Sequence, residues 1–305
     1  MKGMKIISPA SATNIGSGWD VFGLSFKEPF DEMEVVVTDS GRVEIEVTGY
    51  PVPIEPKKNT AGYAALRMLE KFGIKDGLLI KMHKGIKPAS GIGSSGASAA
   101  GVAYCINKLF ELNLPAIDVI KCASFGEIIS IGEPLPDNIA PDILGGFTLI
   151  RSYENLDIIK IDPPEDMGIV IATPNIEKGS SKLSREAVPR EAPMINVREN
   201  VGHASLFVAG MALKNLDYIK KGMHDVIVEP ARVRYGIIRE FPKLKKLGEE
   251  LNAGIAASGS GPSIMGIIEK ERRNELAKGM KEIYENAGYK CETITTEPGD
   301  GIREI

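Results

Sequence analysis

The run Gly85-Ile-Lys-Pro-Ala-Ser-Gly-Ile-Gly-Ser-Ser-Gly-Ala-Ser-Ala-Ala-Gly101 constrains this chain more than any other segment. It follows the apolar stretch Leu78–Met82 and leads into a helix-like segment that reaches Phe110. A strand, a loop of small residues and a helix start together make an anion site. Glycines let the backbone come close, N–H groups without intrahelical partners point outward, and the helix dipole favours negative charge. Ser94 and Ser95 add hydroxyls suited to a phosphate oxygen or a magnesium ion.

Strand-like runs at Lys5–Ser8, Glu32–Val37 and Val43–Val47 precede this loop, and Asp39-Ser-Gly41 predicts a hairpin between the last two. A helix over 58–72 carries the apolar stripe Ala61, Ala64, Ala65, Met68 and Leu69. A strand at 78–82, helices over 94–112 and 116–131, and a strand pair at 145–150 and 157–161 come next. Asp162-Pro-Pro-Glu-Asp166 is the expected boundary between domains 1–162 and 163–305. Beyond it the pattern predicts a strand at 168–172 and several helices between 180 and 251. Strands at 254–258 and 263–268 flank a second glycine-rich loop, before a helix near 270–286 and a strand near 290–296. Clustered strands with hairpin-like connections point to an α+β class rather than a regular parallel α/β sheet.

Composition narrows the function. With 37 basic and 41 acidic residues, neither nucleic acid nor an anionic membrane is an expected partner. Cys105, Cys122 and Cys291 have no disulfide-framework or CxxC spacing, and His83, His203 and His224 form no zinc motif. A reducing, cytoplasmic setting is expected. Gly91-Ile-Gly-Ser-Ser-Gly96 matches GxGxxG, but Lys84–Ser90 separate the strand from the first glycine, and another helix follows instead of a strand. An ordinary P-loop needs GK[ST] after the glycines, which is missing. A nonstandard phosphate cradle remains. A nicotinamide oxidoreductase is the alternative from a different class, and a bare packing turn is the bland one.

Pro88-Ala-Ser-Gly-Ile-Gly-Ser-Ser-Gly-Ala97 resembles the second motif of the GHMP kinases, lacking only the alanine usual at Gly96. The segment Ser8–Gly23 resembles their first motif, and Gly254–Gly266 their third, a turn that would prop the phosphate loop. Asp137-Asn-Ile-Ala-Pro141, Gly145-Gly-Phe147, Ser184–Pro189 and Glu229-Pro-Ala-Arg232 are similar to the homoserine kinase branch. The resemblance implies a two-domain fold, with an N-terminal ribosomal-protein-S5-domain-2-like part and a C-terminal ferredoxin-like part. It implies phosphorylation of L-homoserine by ATP in threonine biosynthesis, without a dedicated base, and a homodimer. A mevalonate- or shikimate-like kinase is the alternative within the family.

By the same resemblance, ATP would lie against Asn59, Lys84, Pro88, Ala89, Ser90, Gly91, Ile92, Gly93, Ser94, Ser95, Gly96, Ala97 and Ser98. Magnesium would sit on Ser95 and Glu127. Asn14, Asp20, Asp137, Ser181, Arg185, Arg232 and Gly259 would meet the substrate, with Asn138 beside the transferred group. Each residue has a plainer reading: an Asx-turn at Asn14 beside a packed Trp19, a helix cap at Asn59, an exposed helical Glu127, arginines in surface pairs. One position departs from the branch: Leu135 stands where a histidine is usual.

Overall fold

The computed structural model describes residues 2–176 and 181–305, with the backbone but not the side chains of 181–183. The strands in chain order are β1 (Gly3–Asn14), β2 (Gly18–Thr38), β3 (Val43–Gly49), β4 (Gly77–Lys84), β5 (Phe147–Ser152), β6 (Asp157–Ile161), β7 (Met167–Pro174), β8 (Gly254–Ala257), β9 (Ile264–Glu269), β10 (Cys291–Thr296) and β11 (Arg303–Glu304). One sheet runs β11-β1-β2-β4-β3, with β5 on β2 and β6 on β5; the other runs β10-β7-β9-β8.

The hairpin predicted at Asp39-Ser-Gly41 does not form. β4 inserts between its two arms, antiparallel to β2 and parallel to β3. Burial explains the order. Leu78, Ile80 and Met82 of β4 are buried, which suits a central strand, while β3 alternates buried Val43 and Ile45 with exposed Glu44 and Glu46, which suits an edge.

Two helices, Thr60–Lys71 and Ser94–Leu109, cover one face of this sheet. The predicted apolar stripe of the first is buried throughout. The helix expected over 116–131 is broken: Ala116–Ser124 gives way to a tight turn at Phe125–Glu127 and a short helix Ile128–Ile131. Within that turn Gly126 lies against Ala99 and the Thr60 carbonyl, where a side chain would collide, so Glu127 is brought to the start of both covering helices.

A second core joins the two sheets. Phe22 and Phe147 of the first sheet pack against Phe207 of the helix Met194–Leu213, with ring centroids 5.1 to 5.4 Å apart. The chain then returns: β11 pairs with β1, opposite Ile6 and Ile7. Among the described residues no helix is long and apolar enough to cross a membrane.

Candidate active site

Where β4 ends, the loop 85–93 turns into the helix Ser94–Leu109. That helix begins on Gly93 at φ 73° with no side-chain cap, so its first amides remain available to a ligand. Gly91 also has positive φ, 89°, and a Cβ there would stand 2.6 Å from the Ser258 carbonyl oxygen. The close approach has a purpose. Ser258 Oγ donates to the Gly91 carbonyl at 2.8 Å and the Ser263 amide to the Ser90 carbonyl at 3.2 Å, so the β8–β9 turn braces the loop.

The loop forms one wall of a cleft with a cavity volume of about 350 Å³. Glu127 lines it opposite Ser95. Its Oε2 accepts the hydroxyls of Ser95 at 3.1 Å and Ser130 at 2.8 Å, while the buried Oε1 has no partner. Burial pushes the Glu127 carboxyl up, and the two hydroxyls oppose that shift.

The far end of the cleft is built from charge. Arg185 reaches Asp20 at 3.3 Å and Glu133 at 3.1 Å. Arg232 donates to the Gly259 carbonyl at 2.7 Å, and its buried Nε is without a partner. The helix carrying Arg232, Val228–Arg234, is fixed by Asp225, whose carboxylate accepts the amides of Ile227, Val228 and Glu229. Burial raises the Asp20 carboxyl, opposed by both arginines. Burial pushes Asp137 up to about 7, aided by the charges of Asp20 and Glu127 and opposed by bonds from the Asn138 backbone and the Thr13 hydroxyl.

Comparison with known proteins decides the lineage. The family model for the GHMP kinases N terminal domain matches residues 59–146. A homoserine kinase of Methanococcus maripaludis is 39% identical over 100% of both chains. The crystal structure of homoserine kinase from Cytophaga hutchinsonii superposes with a TM-score of 0.90 at 30% identity, covering 100% of this chain and 98% of that one. This chain belongs to the homoserine kinase family of the GHMP kinases. L. major mevalonate kinase shares the fold alone, at a TM-score of 0.74 and 18% identity over 96% of each chain.

As a GHMP kinase, the chain brings most of the residues marked in its sequence into one cleft: Asn14, Asp20, Asn59, Lys84, Pro88, Ala89, Gly91, Gly93, Ser94, Ser95, Ser98, Glu127, Asp137, Asn138, Arg185, Arg232 and Gly259. Ile92 and Ala97 instead face the core, Ser90 Oγ is turned to the Lys87 carbonyl, and Gly96 backs onto Asn138. The side chain of Ser181 lies outside the described residues. Several plainer readings hold alongside the cleft position. Asn59 caps the helix Thr60–Lys71 through the Gly62 amide at 3.1 Å. Asn14 gives its carbonyl to the Asp20 amide at 2.9 Å and an N–H to the Gly259 carbonyl at 2.7 Å, so it ties the first motif to the third. Lys84 turns its ammonium to Asp31, Ser94 and Ser98 beneath the loop. Trp19, by contrast, is 37% exposed on the cleft wall and not packed away, and Glu127 is buried, not exposed.

Sequence reasoning missed Thr13, Val52, Pro53, Ser130 and Ile131 as lining residues. For Ser130 a signal existed: it follows Glu127 by three, a same-face spacing on helical backbone. Thr13, whose hydroxyl bonds Asp137, lies within the first motif, while Val52, Pro53 and Ile131 carry no chemical signature.

The donor set fits magnesium. A hard divalent ion takes oxygen ligands and keeps several places for water and phosphate. Here an unpartnered carboxylate oxygen of Glu127 stands beside the Ser95 hydroxyl. No group of three or more His, Cys, Asp or Glu among the described residues makes a metal cage.

Proposed function

We propose that the protein transfers the γ-phosphoryl group of ATP to the side-chain hydroxyl of L-homoserine, giving O-phospho-L-homoserine and ADP. One observation carries this reading: a single cleft has a backbone-amide cradle at one end and, at the other, two carboxylates with two arginines, the complement of an amino-acid zwitterion. The amides opening the helix Ser94–Leu109 receive the triphosphate. Glu127 and Ser95 would hold magnesium, which when bound would supply charge neutralisation on the transferred group. Asp137 receives the substrate ammonium, and Arg232 and Arg185 the carboxylate. The orphaned Nε of Arg232 is one such donor.

Asn138 lines the cleft between these ends, its side-chain oxygen Oδ1 3.5 Å from Ser11 Oγ. An amide cannot take up the hydroxyl proton as a carboxylate would. Transfer through a loose transition state makes early deprotonation unnecessary, so alignment and charge neutralisation suffice. The family reading also carries a homodimer and a cytoplasmic location.

The test is ADP release by the pure protein with magnesium ATP and a panel of homoserine, mevalonate, shikimate and simple alcohols. Homoserine is expected to exceed the others in kcat/KM by about 10²-fold or more, because analogues without both charges leave buried polar groups unpaired. Preference for an uncharged alcohol would overturn the assignment, as would binding of a nicotinamide nucleotide without ADP release.

A further inference from the structure

Beneath the phosphate loop lies a buried ion pair whose charged ends face each other and the loop's two ends. Lys84 is 1% exposed and Asp31 is 0% exposed. One oxygen of Asp31 accepts the backbone amides of Gly85 at 3.1 Å and Ile86 at 3.0 Å; the other takes the Lys84 ammonium. That ammonium also donates to the Ser94 carbonyl at 3.0 Å and to Ser98 Oγ at 2.8 Å. All its hydrogens are thereby used. Ser94 Oγ closes the ring by donating to the Ile86 carbonyl at 3.0 Å.

We propose that Asp31 and Lys84 are positioning residues for the phosphoryl donor: the carboxylate fixes where the loop leaves β4, the ammonium fixes where the helix Ser94–Leu109 begins, and the pair thereby sets the spacing of the amides that meet phosphate. The proposal rests on the reading that this loop holds the triphosphate. The loop between those anchors needs external support. Ala89, Gly91 and Gly93 all have positive φ, at 57°, 89° and 73°, a conformation that costs energy at alanine and persists only where its surroundings enforce it. The pair is neutral as a whole, so its contribution is geometry and not attraction for phosphate. That separates it from Lys84 acting as a direct nucleotide contact, and from Ser95 and Glu127, which face the cleft.

A buried pair can often be replaced by neutral groups of similar shape without loss of stability. The double variant Asp31→Asn with Lys84→Met exploits this: asparagine keeps an acceptor for the Gly85 and Ile86 amides, while the tie to Ser94 and Ser98 is cut. Calorimetric titration with magnesium ADP is expected to show binding weakened at least tenfold relative to wild type, and KM for ATP is expected to rise by a similar factor. KM for homoserine should stay within about twofold. A folded double variant that binds ADP within twofold of wild type would overturn the proposal. Should the variant not fold, amide hydrogen exchange on nucleotide-free wild type decides. Gly85 and Ile86 are expected to exchange as slowly as the interior of β4, and exchange at the rate of an open loop overturns the proposal. Wild-type protein that binds no ADP would instead remove the functional reading on which the proposal rests.

Discussion

At the phosphate end of the cleft, the loop is held by bonds within the protein and presents backbone amides. At the other end, charged side chains meet one another directly and keep spare capacity: Arg185 bridges Asp20 and Glu133, Arg232 keeps a free buried Nε, and Asp137 is pushed up to about 7. On the proposed reading, one end would recognise a group of fixed shape through geometry already set. The other would recognise a zwitterion by charge, with Arg185 giving up part of its pairing with Glu133 to the substrate carboxylate. The contrast teaches that the two ends should respond to different perturbations: shape at the first, protonation at the second.

The largest expected effect falls where the two ends share a transferred charge. Glu127→Gln keeps the shape and the bonds from Ser95 and Ser130 but removes the carboxylate. We expect kcat to fall by about 10²-fold or more, roughly 3 kcal/mol, with a higher magnesium requirement and little change in KM for homoserine. A magnesium titration of initial rates checks this. An intermediate effect belongs to the acceptor end alone. On the proposed reading Asp137 must be ionised to take the ammonium, and burial pushes it up to about 7, so acid neutralises it. The value of kcat/KM for homoserine should therefore drop about tenfold for each pH unit below 7 and level off above it. In Asp137→Asn that acid slope should vanish; a slope that survives would assign the titration elsewhere. The smallest effect probes how tightly the ends are coupled. A Cβ at Gly96 would stand 2.8 Å from Asn138 Cβ and 3.2 Å from Asp142 Oδ2. Gly96→Ala should cost about 1–2 kcal/mol of stability by overpacking, and lower kcat a few-fold while leaving KM for ATP nearly unchanged. Thermal unfolding alongside kinetics reads both.

The same contrast explains what was legible in the sequence. The phosphate loop is contiguous, so its chemistry could be read from Leu78 to Gly101 alone. Acceptor residues arrive from Asn14, Asp20, Asp137, Arg185, Arg232 and Gly259, distant segments whose meeting no local pattern reports. Only the resemblance placed them together. Topology was partly hidden as well. The turn-forming Asp39-Ser-Gly41 signals a reversal of the chain but not that β4 will take the place beside β2, because strand order is decided by packing between segments distant in the chain. The break at Gly126 escaped for a similar reason: the apolar pattern of 116–131 continues across it, and only the close approach to Ala99 and Thr60 forces the turn. The bonds of Asp31 to Gly85 and Ile86 span a sequence separation that no spacing rule covers.

The return of the chain to its beginning carries a consequence for folding. Residues 299–305 bond to Ser25 and Lys5 of the first sheet, to Gly146 just before β5 and to Asp142 in the helix Ile139–Leu144, and they follow every strand of the second sheet in the chain. Until this segment docks, β1 is open opposite Ile6 and Ile7, and the helix end at Asp142 lacks the amide of Ile302. Chains in which it has not yet docked should stay vulnerable to edge-to-edge association, so the segment works as a latch on the first sheet.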